Sequence, residues 1–397
     1  MKNLLVRVGL ELLYALLLLV TLDVLPVGLN VLGIVFAFVF ASTFWFDVRN
    51  RIMFVVSILL GFFVLNLFSQ KSMARTYYRP HEILRKQLMA GFKRYAPNQD
   101  VTVDRAHGDL VALGFNHPEV ESIQEIRKER LVTDENGYPK LGKAHGNFQA
   151  LLVGDSFIAG DGNDAADTVA AQLQAKGYDV YALGYAGNIA EYLASVTYAE
   201  KSLDIHGPAF IFAFEGNDFA GEDYCVSPGS RVGITRNINR AIKETHIARF
   251  FAALWGHVVS SRQSPAIEVA EVGGKKIGFF VEYLNNARVK EYDNQCLSQL
   301  FQQHRNQIAG IFFIPEKARV YGYGGIGGQS AYAKYLSAVA KEIGVPFVDL
   351  TLPLKKRAQE LLQSGKYVYW RDDTHWNREG AAIAVREMEN LLTRSPR

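Results

Sequence analysis

Four side chains in this chain of 397 residues have the types and spacing that acyl-transfer chemistry uses. Ser156 follows an apolar run at 151–153 and a Gly-Asp pair, which predicts that its hydroxyl stands at the end of a buried strand. Near the C-terminus, Asp372 and Asp373 shortly precede His375, so one loop can carry both a base and the acid that orients it. A histidine base can take the serine proton while the serine oxygen attacks an acyl carbon.

Two further turns can donate hydrogen bonds to the oxyanion of a tetrahedral intermediate. Gly187 lies in Leu-Gly-Tyr-Ala-Gly-Asn at 183–188, and Asn217 lies in Phe-Glu-Gly-Asn-Asp at 214–218. Glycine lets the main chain approach a ligand closely, and a tight turn can hold an asparagine amide outward. The predicted oxyanion donors are therefore the backbone N–H groups of Ser156 and Gly187 and the side-chain amide of Asn217.

The elements that must position these groups alternate between strand and helix. The predicted strands are 148–153, 179–183, 209–214, 308–314 and 346–350, and the predicted helices are 165–176, 189–203, 331–343, 354–363 and 378–392. This alternation predicts an α/β fold, a flavodoxin-like three-layer parallel sheet with helices on both faces. Ligands of such sheets bind at the carboxyl ends of the strands, where Ser156, Gly187 and Asn217 are all expected.

Three apolar runs of membrane-spanning length stand at the N-terminus, at 8–25, 27–46 and 52–68. The last run is the shortest, at the lower limit for a helix that crosses about 30 Å of hydrocarbon. Lys2 and Arg7 precede the first run, and Arg49 and Arg51 lie between the second and third, so both basic flanks are expected in the cytoplasm. We therefore predict an inner (cytoplasmic) membrane protein whose later residues face the periplasm. A re-entrant pair formed by the first two runs is the alternative to three crossings.

These patterns divide the chain into a membrane anchor at 1–70, a juxtamembrane segment at 71–145, and a main α/β domain at 146–397 that carries an insertion at 221–305. Within the juxtamembrane segment we expect a helix near 81–95 and short strands around 109–113 and 130–133. The insertion is too long for a simple connection and has its own helical pattern near 237–257. The insertion can serve as a lid, as a wall of the substrate groove or as a purely structural element, and the sequence leaves these alternatives open.

Composition excludes several classes of site. A net charge of +3 without a basic stripe among aromatics predicts no binding to nucleic acid. The chain has two cysteines, Cys225 and Cys296, too few for a zinc cluster, and His107, His117 and His145 lack ligand spacing. We expect no metal and no cofactor. The cysteines fall near the two ends of the insertion, which predicts a disulfide in an oxidising compartment; two free thiols are the alternative.

In chain order, the stretches around Ser156, Gly187, Asn217 and His375 resemble the four signature blocks of the SGNH hydrolase superfamily, also called GDSL-type esterases. That family supplies serine, glycine, asparagine and histidine in this order, and Ser156, Gly187, Asn217 and His375 stand at the matching positions. The resemblance covers roughly residues 148–392 and implies serine catalysis without a metal.

Two more stretches, 130–138 and 314–317, look like segments of membrane-anchored bacterial members that resemble polysaccharide O-acetyltransferases and acetylesterases. The chain also departs from the family at two places. Glu215 stands where the third block usually has glycine. The usual Asp-x-x-His spacing nominates Asp372 as the triad acid, whereas the Asp-x-His-Trp-Asn variant of the alginate acetyltransferase-like branch nominates Asp373, which we favour.

The resemblance implies a membrane-anchored serine esterase that acts on acetyl or other acyl esters of an envelope or extracellular glycan. With a sugar hydroxyl as acceptor the same site is an O-acyltransferase, and a membrane-bound acyl donor protein is then an expected partner, beside the lipid bilayer and the ester substrate. A non-catalytic glycan-binding or scaffold subunit of a polysaccharide assembly is the alternative. The α/β-hydrolase fold is disfavoured, because Ile158 stands where its Gly-x-Ser-x-Gly motif needs glycine.

Overall fold

The computed structural model describes residues 79–393, apart from 84, 90–91, 115–116, 140–141, 186 and 220–266. Within that part of the chain, no helix has the length and apolarity that a membrane crossing requires. The spans predicted at 8–25, 27–46 and 52–68 lie outside the described residues, as does the helical stretch predicted near 237–257.

The strands are β1 (Arg85–Met89), β2 (Phe92–Tyr95), β3 (Asp100–Ala106), β4 (Arg127–Val132), β5 (Gly146–Asn147), β6 (Ala150–Gly154), β7 (Val180–Gly184), β8 (Ile205–His206), β9 (Ala209–Phe214), β10 (Ile267–Val272), β11 (Lys275–Phe280), β12 (Ile308–Ile314) and β13 (Phe347–Asp349). The helices are α1 (Pro80–Ile83), α2 (Asp109–Leu113), α3 (Val120–Ile123), α4 (Ser156–Ala159), α5 (Val169–Ala175), α6 (Ile189–Ser202), α7 (Val281–Ala287), α8 (Gln295–Gln303), α9 (Lys317–Tyr321), α10 (Ala331–Ile343), α11 (Thr351–Leu362) and α12 (Arg378–Leu392). Single 3₁₀ turns lie at Ala165–Asp167 and Tyr323–Gly325.

The central sheet contains five parallel strands in the order β13-β12-β9-β6-β7. In chain order the first strand of this sheet, β6, thus lies between its second, β7, and its third, β9, which is the flavodoxin-like strand order. In register, Gly154 of β6 pairs with Gly184 on one side and with Phe212 on the other. The predicted parallel α/β sheet is confirmed, and its switch point lies between β6 and β9.

Alternate residues of the strands feed two hydrophobic cores, one on each face of the sheet. Leu151 and Val153 of β6 pack in the core that contains α6, α8 and α10. Ala150 and Leu152 pack in the core that contains α5, α11 and α12. Because β6 is buried on both faces, its sequence is a continuous apolar run rather than an alternating one.

Outside 220–266, the strands and helices predicted from residue 148 onward are confirmed, with small shifts of their boundaries. The largest shift is at the start of α5, where a 3₁₀ turn precedes the helix proper. Thr168 separates the two elements, and its side chain accepts a hydrogen bond from the N–H of Ala171 as the N-cap of α5.

The segment before the sheet departs from its prediction in two places. The helix expected near 81–95 is wrong, because α1 ends at Ile83 and β1 and β2 pair as an antiparallel hairpin. Gly91 lies between those strands in sequence, and glycine is unfavourable inside a helix. The strand expected around 109–113 is instead helix α2, which begins with an aspartate as the helix dipole favours. The strand near 130–133 is confirmed within β4, which pairs antiparallel with β3.

Residues 267–305 of the predicted insertion form an antiparallel hairpin, β10–β11, followed by α7 and α8. Cys296 lies in the first turn of α8 and is disulfide-bonded. Its predicted partner, Cys225, lies outside the described residues.

Candidate active site

Ser156 is the first residue of α4, the short helix that follows β6. The carboxylate of Asp155 caps this helix by accepting a hydrogen bond from the N–H of Phe157 at 2.9 Å. Glycine at 184 allows α4 to lie close to β7, since a Cβ there would stand 2.4 Å from the backbone nitrogen of Ala159. The chain therefore turns sharply at Ser156, which lies beside the switch point of the sheet.

Ser156, His375 and Asp373 form a hydrogen-bonded chain. The Oγ of Ser156 lies 2.6 Å from Nε2 of His375, and Nδ1 of His375 lies 2.6 Å from Oδ1 of Asp373. An ionised carboxylate only accepts hydrogen bonds, so Nδ1 carries the proton and Nε2 is free to accept the serine hydroxyl. The ring of Phe157 packs against the imidazole with 4.9 Å between centroids.

Asp373 is held by two arginines in addition to the histidine. Its Oδ2 accepts hydrogen bonds from Nη1 of Arg79 at 3.0 Å and from Nη2 of Arg127 at 2.7 Å. Its backbone carbonyl accepts a hydrogen bond from Nζ of Lys317 at 2.8 Å. Burial alone would raise the pKa of Asp373, but Arg79, His375 and Arg127 together hold this pKa well below its usual range. Asp373 is therefore ionised.

The pKa of His375 reflects two opposing effects. Burial lowers this pKa, but the carboxylates of Asp373 and Asp109 outweigh burial, so the pKa of His375 lies above its ordinary value. The imidazolium form is thus stabilised inside the site, as a base that must accept a proton during reaction requires.

The carboxylate of Asp372 has other partners. Its Oδ1 accepts a hydrogen bond from Nη1 of Arg127 at 2.9 Å, and its Oδ2 accepts from the backbone N–H groups of Gly108 at 2.9 Å and Glu125 at 2.8 Å. Of the two acids that the sequence nominated, the structure places Asp373 against His375. Asp372 instead connects the segment before the sheet with residues 371–377, the loop that carries His375 and that we call the histidine loop.

Gly187 and Asn217 lie in the loops that follow β7 and β9, at the same edge of the sheet as the serine. The hydroxyl of Tyr192 joins these loops, lying 2.7 Å from Oδ1 of Asp218 and 3.1 Å from the carbonyl oxygen of Gly187. The other carboxylate oxygen of Asp218 accepts a hydrogen bond from the N–H of Phe214 at 2.7 Å, which closes the turn. The Oδ1 of Asn217 is buried and has no hydrogen-bond partner among the described residues.

Glu215, the departure from glycine in the third block, is fully buried in an ion pair. Its carboxylate accepts hydrogen bonds from Nε of Arg319 at 2.8 and 2.9 Å and from Nη2 of Arg319 at 2.6 Å. It also accepts a hydrogen bond from the N–H of Glu316 at 2.9 Å. The arginine in turn donates to the carbonyl of Ala287 at 2.6 Å. The turn that carries Asn217 is therefore held by a buried ion pair, which connects the loops after β9 and β12.

Sequence reasoning missed four charged residues of the site, Arg79, Asp109, Arg127 and Lys317. The first three belong to the segment before the sheet, and the acids that Arg79 and Arg127 bind are 294 and 245 residues away in sequence. No local pattern marks such contacts. Lys317 alone carried a signal, because it ends the Ile-Pro-Glu-Lys stretch that resembles membrane-anchored hydrolases.

Asp109, Asp373 and His375 also bring three ligand-type atoms within 4.8 Å of one another. Two arginines already donate to the carboxylate of Asp373, and the imidazole faces a serine hydroxyl. Arginines beside this group oppose a cation, so the arrangement suits a hydrogen-bonded base better than a metal ligand set.

Comparison with protein-family models and with curated proteins finds no match. Matching solved structures include a member of the lipolytic protein G-D-S-L family from Veillonella parvula, which is 12% identical with a TM-score of 0.33 over 62% of this chain and 98% of that one. A Bacillus subtilis protein is 14% identical, with a TM-score of 0.34 over 68% of each chain. A gut microbial diltiazem-metabolizing enzyme is 12% identical, with a TM-score of 0.26 over 64% of this chain and 48% of that one. Likeness at this level assigns no activity, so the functional conclusion rests on the side chains described above.

Proposed function

We propose that this protein is a serine enzyme that acts on ester-linked acyl groups. The observation that carries the proposal is the chain from Ser156 through His375 to Asp373, with 2.6 Å at each of its two contacts. A hydroxyl, a base and an orienting acid in this order are the groups that covalent acyl transfer needs.

In the first half of the reaction, Oγ of Ser156 attacks the ester carbonyl carbon and its proton passes to Nε2 of His375. The bond from that carbon to the alcohol oxygen then breaks, and the imidazolium gives its proton to the departing alcohol. In the second half, water or a sugar hydroxyl gives its proton to His375 and attacks the acyl carbon. The bond to Ser156 breaks, and its oxygen recovers the proton. Asp373 holds Nδ1–H and stabilises the imidazolium in both halves.

The negative oxygen of each tetrahedral intermediate needs donors fixed in advance. We assign this role to the backbone N–H groups of Ser156 and Gly187 and to the side-chain amide of Asn217. Two observations support the assignment: the Tyr192 hydroxyl contacts both loops, and the Glu215–Arg319 ion pair beside Asn217 is buried. Rigid donors cost little reorganisation when charge develops on the substrate.

We extend the proposal to a membrane-anchored enzyme whose substrates are acetyl or other acyl esters of an envelope or extracellular glycan. Support comes from the three apolar runs and their basic flanks, which favour a periplasmic domain. The disulfide-bonded Cys296 suits the same oxidising compartment. With water as acceptor the enzyme is an esterase. With a sugar hydroxyl it is an O-acyltransferase, supplied by a membrane-bound acyl donor protein.

The proposal is tested with the full-length chain purified in detergent. We expect it to hydrolyse p-nitrophenyl acetate and to be labelled by a fluorophosphonate, and we expect Ser156→Ala to lose both properties. Ser122→Ala, at an exposed position, is the matched control and keeps both. Folded protein that shows neither hydrolysis nor labelling would contradict the proposal and favour a non-catalytic glycan-binding or scaffold subunit.

Product analysis with an acetylated glycan distinguishes the two acceptors. Acetate released at the same rate with and without an acceptor sugar indicates an esterase. Acetyl groups transferred to the added sugar indicate an O-acyltransferase.

A further inference from the structure

A second carboxylate lies beside the histidine of the site. Oδ2 of Asp109 is 3.7 Å from Nδ1 of His375, the same nitrogen that Asp373 contacts. Asp109 is the first residue of α2, in the segment before the sheet. It therefore comes from a part of the chain that the four signature blocks do not include.

The histidine loop holds Asp109 in place. The N–H of Thr374 donates to Oδ1 of Asp109 at 2.8 Å, and the hydroxyl of Thr374 donates to Oδ2 at 2.5 Å. Gly108 lies directly against the same loop, where a Cβ would stand 1.8 Å from the carbonyl oxygen of Asp372. The N–H of Leu110 donates to that carbonyl at 3.1 Å. Residues 108–110 are thus docked on the loop, and the carboxylate cannot easily move away.

The two acids differ in their surroundings. The negative charge of Asp373 is balanced by Arg79 and Arg127, which both donate hydrogen bonds to its Oδ2. Both oxygens of Asp109 are instead hydrogen-bonded to Thr374, and its side chain is 18% exposed. Burial and the nearby Asp373 raise the pKa of Asp109 to about 6, so it is ionised at neutral pH. It then adds a negative charge beside the imidazole that must accept a proton.

We propose that Asp109 is a positioning residue of this active site, a second acid that fixes the Thr374–His375 loop and stabilises the imidazolium together with Asp373. The inference rests on the proposed function and deepens it, because it makes the segment before the sheet part of the catalytic unit. Asp109 touches no reacting atom and acts through His375.

Several charged and titratable groups lie near Asp109 and His375 and influence the pKa values of these two residues. They are Asp373 in the histidine loop, Arg79 and His81 in the segment before β1, Asp155 before α4, Tyr283 in α7 and Lys317 in α9. Asp109 raises the pKa of His375, whereas Arg79 lowers it. Removing the charge of Asp109 must therefore lower the pKa of His375 and move the acid limb of kcat/KM to lower pH.

The test is the pH profile of p-nitrophenyl acetate hydrolysis by the full-length Asp109→Asn variant. We expect kcat near neutral pH to fall about 10-fold, with the acid limb of kcat/KM displaced to lower pH. Asp104→Asn, which removes the same charge from an exposed position on β3, is the matched control and leaves both unchanged. If Asp109→Asn does not fold, Thr374→Ala releases the carboxylate and is expected to displace the limb in the same direction, by less.

A fall in kcat without displacement of the acid limb would overturn the inference, since a purely structural role for Asp109 predicts that result. An unchanged profile would overturn it as well. Either result leaves the proposed function standing as long as the unmodified protein hydrolyses the ester and is labelled at Ser156. Absence of labelling in the unmodified protein instead removes the proposed function itself.

Discussion

At the scale of single residues, Asp372 and Asp373 are adjacent and chemically identical, but they have different partners and different roles. Both are fully buried and both bind Arg127. Only Asp373 also contacts the imidazole of His375, whereas Asp372 accepts two backbone hydrogen bonds from the segment before the sheet. The first contact bears on proton transfer and the second on the stability of the fold.

Asparagine substitutions separate these two roles. Asp373→Asn is expected to reduce kcat by about 10⁴, because an amide can donate to Nδ1 and so favour the wrong tautomer of His375. Asp372→Asn is expected to keep most of the activity and to lower the free energy of unfolding by about 1–3 kcal/mol. Kinetics on p-nitrophenyl acetate and urea unfolding of both variants provide the measurement. The opposite pattern would make Asp372 the orienting acid.

Asn217 gives a second prediction at this scale. Asn217→Ala is expected to lower kcat by about 10²–10³ while leaving KM nearly unchanged, since an oxyanion donor acts mainly in the transition state. Asn285→Ala, at an exposed position in α7, serves as the control. A near-normal rate for Asn217→Ala would show that its amide does not face the oxyanion.

At the scale of elements, the loops at the carboxyl ends of the strands are held by buried charges rather than by glycine alone. Glu215 and Arg319 connect the loop after β9 with α9, and Arg319 also donates to the end of α7 through Ala287. Their side chains are at most 4% exposed. Removing one partner of such a pair leaves an uncompensated charge in the interior, which is costly.

Glu215→Gln is therefore expected to lower the free energy of unfolding by about 3–5 kcal/mol, and the double variant Glu215→Gln with Arg319→Met is expected to recover part of this loss. Glu360→Gln breaks the exposed ion pair with Arg357 and should cost less than about 1 kcal/mol. Urea unfolding of the three variants measures these differences. Equal losses for Glu215→Gln and Glu360→Gln would contradict a stabilising role for the buried pair.

Some of these elements and contacts could be predicted from the sequence, and others could not. The strands around Ser156 and Asn217 were predictable, because a strand buried on both faces is a continuous apolar run that ends in a turn. The pairing of His375 with an aspartate was predictable because both lie in one loop. The position of Arg79 was not predictable, because its partner is 294 residues away and a basic residue is ordinary shortly after a predicted membrane span. The short apolar stretch at 109–113 is compatible with a strand or a helix. In the structure it is a helix, and the N–H of Leu110 in its first turn donates to the carbonyl of Asp372 in the histidine loop.

At the scale of the whole molecule, the segment between residues 79 and 132 belongs to the site as much as the sheet does. Tyr95 and Leu131 pack in one apolar cluster with Ala159, which follows the serine by three residues. In another cluster, Leu110 packs with Ile267 of β10. Expression of residues 146–397 alone would remove these contacts together with Arg79, Asp109 and Arg127. Experiments on activity should therefore retain the preceding segment.

The predicted membrane topology is testable on the whole chain. Alkaline phosphatase fused to the C-terminus is expected to be active in a bacterial host, because that reporter folds only outside the cytoplasm, where its disulfides form. A fusion at residue 50, between the second and third predicted spans, is the matched control and is expected to be inactive. An inactive C-terminal fusion, expressed at a normal level, would contradict a periplasmic domain.

The central claim is that Ser156 carries the acyl group during turnover, and the acyl-enzyme tests it most directly. The full-length protein is mixed with p-nitrophenyl acetate, quenched in acid within the first turnover, digested and mapped by mass spectrometry. We predict one acetyl group on the peptide that contains Ser156 and none on that peptide in Ser156→Ala. An acetyl group on another side chain, with Ser156 unmodified while turnover proceeds, would contradict the assignment of Ser156 as the nucleophile.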